Sequence, residues 1–240
     1  MDRNDRILIT GGTGFIGARL AQVLANRGYR IRVATTDFRN CARVAGFPVE
    51  LVRADLGNHA SLVHAVAGCS VVFHFGYRFG GSPEDERRIN FEGTRARAEA
   101  FQTKGGCRFV HVSSITAYGD PRDGEITEES PQLPSREAYG TIKQEIERTL
   151  LRLHHTRGLP VTILQPTIVY GPHGYFFTIR PLEELRSAHI ALPAGGLCNA
   201  VYVDDVVSAA ILAAEREAAI GEKFIISGSS PTTWRRFYGA

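Results

Sequence analysis

The stretch "RILITGGTGFIGARL", residues 6–20, decides the architecture. An apolar run with Ile7, Leu8 and Ile9 stops at a glycine cluster, and apolar residues then resume at helical spacing. Gly11, Gly12, Gly14 and Gly17 therefore stand between a strand and a helix. Glycines there permit a tight turn, let backbone approach a pyrophosphate and seat the helix against the sheet. The helix N-terminus adds free N–H groups and partial positive charge. No Gly-Lys-Ser/Thr follows, which argues against a mononucleotide P-loop. The stretch predicts a dinucleotide site.

The rest of the chain repeats the alternation. "RIRVAT" (30–35), "VELVR" (49–53), "SVVFHF" (70–75), "CRFVHVS" (107–113) and "PVTILQP" (160–166) read as strands. Helical patterns fall at 15–28, 59–68, 84–105 and 136–158. Continuous apolar strands separated by helices predict an α/β fold with a doubly wound parallel sheet, whose ligands bind at the C-terminal strand ends. Residues 117–135, with Gly119, Pro121, Gly124, Pro131 and Pro134, read as a loop over the sheet edge. Beyond residue 166 the pattern loosens: "YGPHGYFF" (170–177), a helix near 178–188, "LPAGGLCNA" (192–200), a helix at 204–217 and a strand at 222–227. Residues 1–166 are expected to form the dinucleotide-binding domain. Residues 167–240 are expected to form a partial substrate-binding region interleaved with the last strands of the sheet.

Composition excludes several classes. The 240 residues are 43% hydrophobic and 22% charged, with a formal charge of +3 and no basic run, so nucleic acid is not an expected partner. Cys41, Cys69, Cys107 and Cys198 lie far apart without metal-ligand spacing, which predicts reduced thiols, no metal and a cytoplasmic location. Cys69 and Cys107 adjoin apolar strands and are expected to be buried. No run approaches the roughly 20 apolar residues of a membrane span, nor does the N-terminus resemble a signal peptide.

At the end of the second strand, where an acid commonly meets the ribose hydroxyls, the chain reads Ala34-Thr35-Thr36-Asp37-Phe38-Arg39. Thr35 takes the acid's place and Arg39 is able to meet a 2′-phosphate. NAD and NADP both stay open, with the balance tipped toward NADP. Further on, "EAYGTIKQEIE" sets Tyr139 and Lys143 one helical turn apart, on one face. A phenol near pKa 10 is a poor base at neutral pH, and a neighbouring cation favours its phenolate. "HVSSITAYGD" (111–120) ends a strand in hydroxyls close by.

Taken together, "TGGTGFIG", Asp55 in "RADL", "VFHFG" (72–76), "NFEGT" (90–94), "VSSITAYG", "YGTIK", "PTIVYGP" (166–172) and "VYVDDVVSAAI" (201–211) resemble the extended short-chain dehydrogenase/reductases of the NAD(P)-dependent nucleotide-sugar epimerase/dehydratase group, with a Rossmann fold. The resemblance implies that Tyr139 is the general acid/base and that Lys143 lowers its pKa and holds the nicotinamide ribose. It further implies that Ser114 hydrogen-bonds the reacting oxygen and that Asn90 is structural support. Cofactor contacts are implied for Gly11, Gly12, Thr13, Gly14, Phe15, Ile16, Gly17, Thr35, Thr36, Arg39, Asp55, Leu56, Phe75, Gly76, Val112, Ser113, Tyr139, Lys143, Pro166, Thr167, Ile168 and Val169. Gly76 departs from the family's His-Leu-Ala-Ala and is expected to leave room beside the cofactor. Substrate contacts are expected from Ser114, Thr116, Tyr139, His173 and Tyr175. His74 and His111 are read as structural or cofactor-lining, and one carboxylate of Asp204 and Asp205 as a helix cap.

Dehydratases of this family usually carry Asp-Glu where this chain has Ile115-Thr116, which disfavours elimination of water. Hydride exchange remains, as a 4-epimerase or ketoreductase acting on a small-molecule substrate such as a nucleotide-activated sugar. A reductase of a non-sugar carbonyl and a non-catalytic NADP-binding sensor are the alternatives. The family commonly forms homodimers through the helices near 84–104 and 136–156. It also commonly continues past the point where "TTWRRFYGA" ends, so the chain is expected to be C-terminally truncated.

Overall fold

The computed structural model describes residues 1–120, 124–186 and 195–239. Its strands are β1 (Arg6–Thr10), β2 (Arg30–Thr35), β3 (Val49–Arg53), β4 (Val71–His74), β5 (Arg108–Val112), β6 (Val161–Pro166), β7 (Ile168–Tyr170), β8 (Leu197–Cys198), β9 (Ala200–Tyr202), β10 (Lys223–Ile226) and β11 (Thr232–Thr233). The helices are α1 (Phe15–Asn26), α2 (His59–Val66), α3 (Pro83–Arg87), α4 (Gly93–Thr103), α5 (Ala138–Arg157), α6 (Arg180–Arg186), α7 (Val203–Glu215) and α8 (Trp234–Tyr238).

Seven strands form one parallel sheet in the order β10-β6-β5-β4-β1-β2-β3. The chain runs outward from β1 through β2 to β3, then crosses to β4 on the other side of β1. That reversal opens a crevice beyond the C-terminal ends of β1 and β4. Side chains along β1 alternate between two cores. Ile7 and Ile9 pack with α1 and α7, whereas Leu8 packs with α2, α4 and α5. Both faces of the inner strands are thus dry, which is why those strands read as nearly unbroken apolar runs, while the edge strands β3 and β10 stay partly exposed. No helix among the described residues is long and apolar enough to cross a membrane.

Several details differ from the sequence reading. The helical pattern at 84–105 splits into α3, a wide turn at Arg88–Glu92 and α4. The turn carries the Asn90 side chain inward and brings Gly93 so near the Leu56 carbonyl that a Cβ would collide with it. The helix expected near 178–188 begins with a second wide turn, Tyr175–Ile179, before α6; residues 187–188 lie outside the described residues. So do Pro121 of the 117–135 loop and the start of "LPAGGLCNA". Asp204 does not cap α7: its carboxylate accepts two hydrogen bonds from Arg19 (2.7 and 2.9 Å), tying α7 to α1. The ion pair wins because the guanidinium offers a bidentate, charge-assisted partner. Cys41, Cys69 and Cys198 are buried, but Cys107 is exposed because it lies just before the N-terminal end of β5 rather than within it.

Residues 167–240 both extend the main sheet and leave it. β10 pairs with β6, and α7 covers the sheet beside α1. The two-stranded pairs β7–β9 and β8–β11 stand apart.

Gly17 shows how tightly the first turn is built, since any Cβ there would strike the Gly11 carbonyl. Gly17→Ala is expected to lower the melting temperature by roughly 2–10 °C, the cost of overpacking one methyl group, as read by thermal denaturation.

Candidate active site

The glycine turn sits at the mouth of the crevice. Gly11 adopts φ +67° and accepts a hydrogen bond from Gly14 N–H. Helix α1 then begins with no side-chain cap and no acid in its first turn, so its N–H groups are left for a ligand. Beside it runs a groove of about 190 Å³ lined by Thr10, Gly11, Thr13, Thr35, Thr36, Asp55 and Leu56, among others. The residues present fit a dinucleotide: an uncapped helix terminus for the phosphates, and a slot between β2 and β3 for the adenosine. At its far end Thr35 turns its hydroxyl to the Asp37 carbonyl (2.9 Å). Arg39 is paired with the Asp37 carboxylate (2.7–3.0 Å), which pulls the Asp37 pKa down. Asp55 receives Gly57 N–H at 2.8 Å.

Gly76 lines the groove and also packs against the end of β1. Its N–H donates to Thr10 Oγ1 (3.2 Å), and a Cβ would sit tight against that oxygen. The missing side chain lets the ends of β1 and β4 close together. Phe75 N–H donates to the Thr10 carbonyl (3.1 Å), while its ring packs on the core.

On the other side of β4, helix α5 lies across the ends of β5 and β6. Its periodicity turns Tyr139 and Lys143 toward the hydroxyl-rich end of β5. Lys143 is buried, and its ammonium donates to the Val112 carbonyl at 2.8 Å. It lies 5.1 Å from the Tyr77 ring and 5.7 Å from the Tyr139 ring. Burial pulls its pKa down to about 7, with Glu147 opposing. Burial pushes the Tyr139 phenol up, and the Ser114 hydroxyl works against that shift. Ser114, Tyr139 and Lys143 are therefore brought together as the sequence implied.

Other expected residues are placed elsewhere. Asn90 touches no reacting position; its amide holds the backbone of Arg78 and Glu86 (2.8–2.9 Å), fixing the loop after β4. Thr116 donates its backbone N–H to Ser114 Oγ (3.2 Å), and its hydroxyl is enclosed without a hydrogen-bond partner. His173, at φ +70°, turns into a separate hollow with Phe15, Arg19 and Asp204, away from Tyr139. Tyr175 is exposed and packs edge-on to Phe176. Ser113 is buried beside Glu147. Thr167 N–H and hydroxyl both reach the Ile226 carbonyl, locking the end of β6 to β10. Pro166 ends β6, and Ile168 and Val169 pair with β9.

Three groups were not anticipated. Tyr77 packs edge-on to Tyr139 (4.8 Å between centroids) and donates its phenol proton to Glu86 (2.8 Å). Behind Lys143, Glu147 accepts from Gln165 (3.0 Å) and Gln132 (2.8 Å), and Gln165 accepts from Tyr118 (2.9 Å). Burial raises the Glu147 pKa. The buried guanidinium of Arg97 approaches His74 at 3.0 Å. The Glu147 and Arg97 groups carry a legible signal, since a charged residue falls on an otherwise apolar helix face; Tyr77 has none.

The parallel sheet with its topological switch, glycine turn and adjoining groove defines a dinucleotide-binding α/β protein. The chain belongs to the NAD dependent epimerase/dehydratase family, whose model matches residues 7–227, within the extended short-chain dehydrogenase/reductases. It is 26% identical over 238 residues to a 4-hydroxy-2-methyl-3-oxo-4-farnesyl-3,4-dihydroquinoline-1-oxide ketoreductase from Stigmatella aurantiaca, covering 97% of this chain and 71% of that relative. A dTDP-glucose 4,6-dehydratase from Streptomyces venezuelae, solved with NAD bound, superposes with a TM-score of 0.85 at 25% identity, covering 98% of this chain and 79% of the other. A UDP-glucose 4-epimerase from Thermotoga maritima, solved with UDP-glucose, gives a TM-score of 0.84 at 25% identity over 98% and 80% of the two chains. Members with reductase, dehydratase and epimerase names thus share this fold.

The depressed Lys143 pKa has a consequence for stability. Between about pH 7 and its ordinary value of 10.5, the unfolded chain binds a proton that the folded chain gives up. This group therefore makes stability rise with pH across that window, and its cost is fully present below it. Lys143→Met is expected to be more stable than the wild type at pH 7, by about 1–3 kcal/mol, with the advantage shrinking toward pH 10. Urea denaturation of both chains at the two pH values checks this.

Proposed function

We propose that this chain is an NAD(P)-dependent oxidoreductase that exchanges hydride with a carbinol or ketone carbon. The observation that supports this best is the Ser114–Tyr139–Lys143 cluster, with its ammonium buried beneath the phenol. When bound, the nicotinamide supplies or takes up the hydride. Ser114 and Tyr139 hold the reacting oxygen between two hydroxyls, and Tyr139 gives or takes its proton. Lys143 supplies the positive field that makes that proton mobile, and is placed to hold the nicotinamide ribose. The turn Ile115–Tyr118 carries no carboxyl group, so the reading is reductase or 4-epimerase rather than dehydratase.

Two substrate classes are proposed. A nucleotide-activated sugar follows from the family resemblance. An apolar ketone is favoured by the rings around Tyr139: Tyr77, Phe79 (5.4 Å) and Phe176, which lies 6.2 Å from Phe79. Phe79 and Phe176 are 60% and 56% exposed, an apolar wall, and the one hydroxyl among these three rings, that of Tyr77, is already donated to Glu86. For the cofactor, Arg39 favours NADP and Asp37 offsets part of its charge, so the preference is small. A homodimer through α3, α4 and α5 is also proposed; sedimentation showing only monomer at high concentration would remove it.

Tyr139→Phe is expected to lower kcat by roughly 10²–10⁴ while leaving cofactor affinity within a few-fold of wild type. Unchanged turnover would overturn the catalytic assignment and favour a sensor. Arg39→Ala is expected to cut the NADP-to-NAD affinity ratio several-fold, measured by fluorescence titration. Thermal shifts with NAD, NADP, UDP- and dTDP-sugars and a planar aromatic ketone separate the substrate classes.

A further inference from the structure

Arg97 is 1% exposed, yet no carboxylate among the described residues pairs with it. It lies on the inward face of α4 with Thr94, Ala98 and Phe101, where packing calls for an apolar residue. Its Nη1 donates to His74 Nδ1 (3.0 Å), and its Nε–H is enclosed without an acceptor. Burial lowers its pKa to about 9. A buried cation that meets only a neutral partner is costly, and an incoming anion would offset that cost.

The surrounding hydrogen bonds show that the partner is neutral. Gly76 N–H donates to Thr10 Oγ1. Arg97 can only donate, so His74 Nδ1 is an acceptor, and the Thr10 hydroxyl 2.6 Å away shares that lone pair. His74 Nε2–H then donates to Thr94 Oγ1 (2.7 Å), whose own proton goes to the Asn90 carbonyl (2.6 Å). This network assigns the Nε2–H tautomer to a neutral imidazole, consistent with a pKa held well below the ordinary histidine value by burial and by Arg97. His74 orients the guanidinium without neutralising it.

Arg97 also lines the groove beside the glycine turn, together with Thr10, Gly11, Thr13 and Gly76. The 2′-phosphate end of that groove lies at β2, with Thr35 and Thr36, on the far side of β1 from β4 and His74. We propose that Arg97 is a buried anion receptor in the floor of the groove, taking negative charge of the dinucleotide's pyrophosphate opposite the uncapped N-terminus of α1. The proposal rests on the reading that this groove holds NAD(P).

The test is direct binding, independent of turnover. NADH, ADP and adenosine are titrated into the wild type, Arg97→Met and Arg97→Gln, with circular dichroism and melting curves confirming the fold. Gln keeps a donor for His74 but no charge, whereas Met fills the site with apolar volume. Both variants are expected to lose about tenfold or more in affinity for NADH and ADP, with adenosine unchanged. Wild-type affinity for NADH and ADP in a folded variant would overturn the role of Arg97. Equal loss for adenosine would overturn it too, by showing a deformed groove instead of a missing charge. Failure of both variants to fold would assign Arg97 to the architecture and likewise refute the proposal. A wild type that binds no dinucleotide at all would remove the underlying reading of the groove.

Discussion

The ammonium of Lys143, enclosed between α5 and the end of β5 and bonded to the Val112 carbonyl, is the contact on which the site depends. It fixes α5 to the sheet at the one level where Tyr139 meets Ser114. It is also an unfavourable group to bury, as its depressed pKa records. The nearby carboxylate of Glu147 compensates in part, and is itself held by Gln165 and Gln132. Protein interiors keep such polar arrays where function demands them and accept the stability cost.

A second buried charge follows the same logic on the other side of β4. Arg97 and Lys143 both sit near the neutral His74–His111 pair, whose rings stack at 5.3 Å. Both histidines are held neutral, by burial first and then by the neighbouring cations. Positive charge thus flanks the C-terminal ends of β4 and β5, where an anionic dinucleotide would lie. The crevice itself exists because the strand order reverses between β1 and β4.

Most of this frame was legible in the sequence because it follows from local rules. Unbroken apolar strands such as "RILIT" announce burial on both faces, and β1, β2 and β3 fall where the pattern placed them. The glycine turn and the Tyr139–Lys143 spacing depend only on near neighbours along the chain. What escaped involves partners distant in sequence. One of Asp204 and Asp205 reads as a cap because Arg19, which takes the Asp204 carboxylate, is invisible at that range. Gly76 reads as extra space beside the groove it lines, and only the approach of Thr10 shows that its missing Cβ also lets β1 and β4 meet. His173 resembles a substrate contact until its backbone turns it toward α1. Arg97 is the instructive case, since its place among Thr94, Ala98 and Phe101 follows from helical spacing, but its meaning comes from His74 on β4.

The central claim is electrostatic: the field at the end of β5 makes the Tyr139 phenol a usable acid and base once the oxidised dinucleotide is present. The most direct measurement is an NMR titration of Tyr139, labelled at the ring carbon that bears the hydroxyl, with and without oxidised dinucleotide. The account predicts titration above the ordinary value of 10 in the free protein, and a fall when the dinucleotide binds. A phenol whose titration does not move when the dinucleotide binds would contradict it.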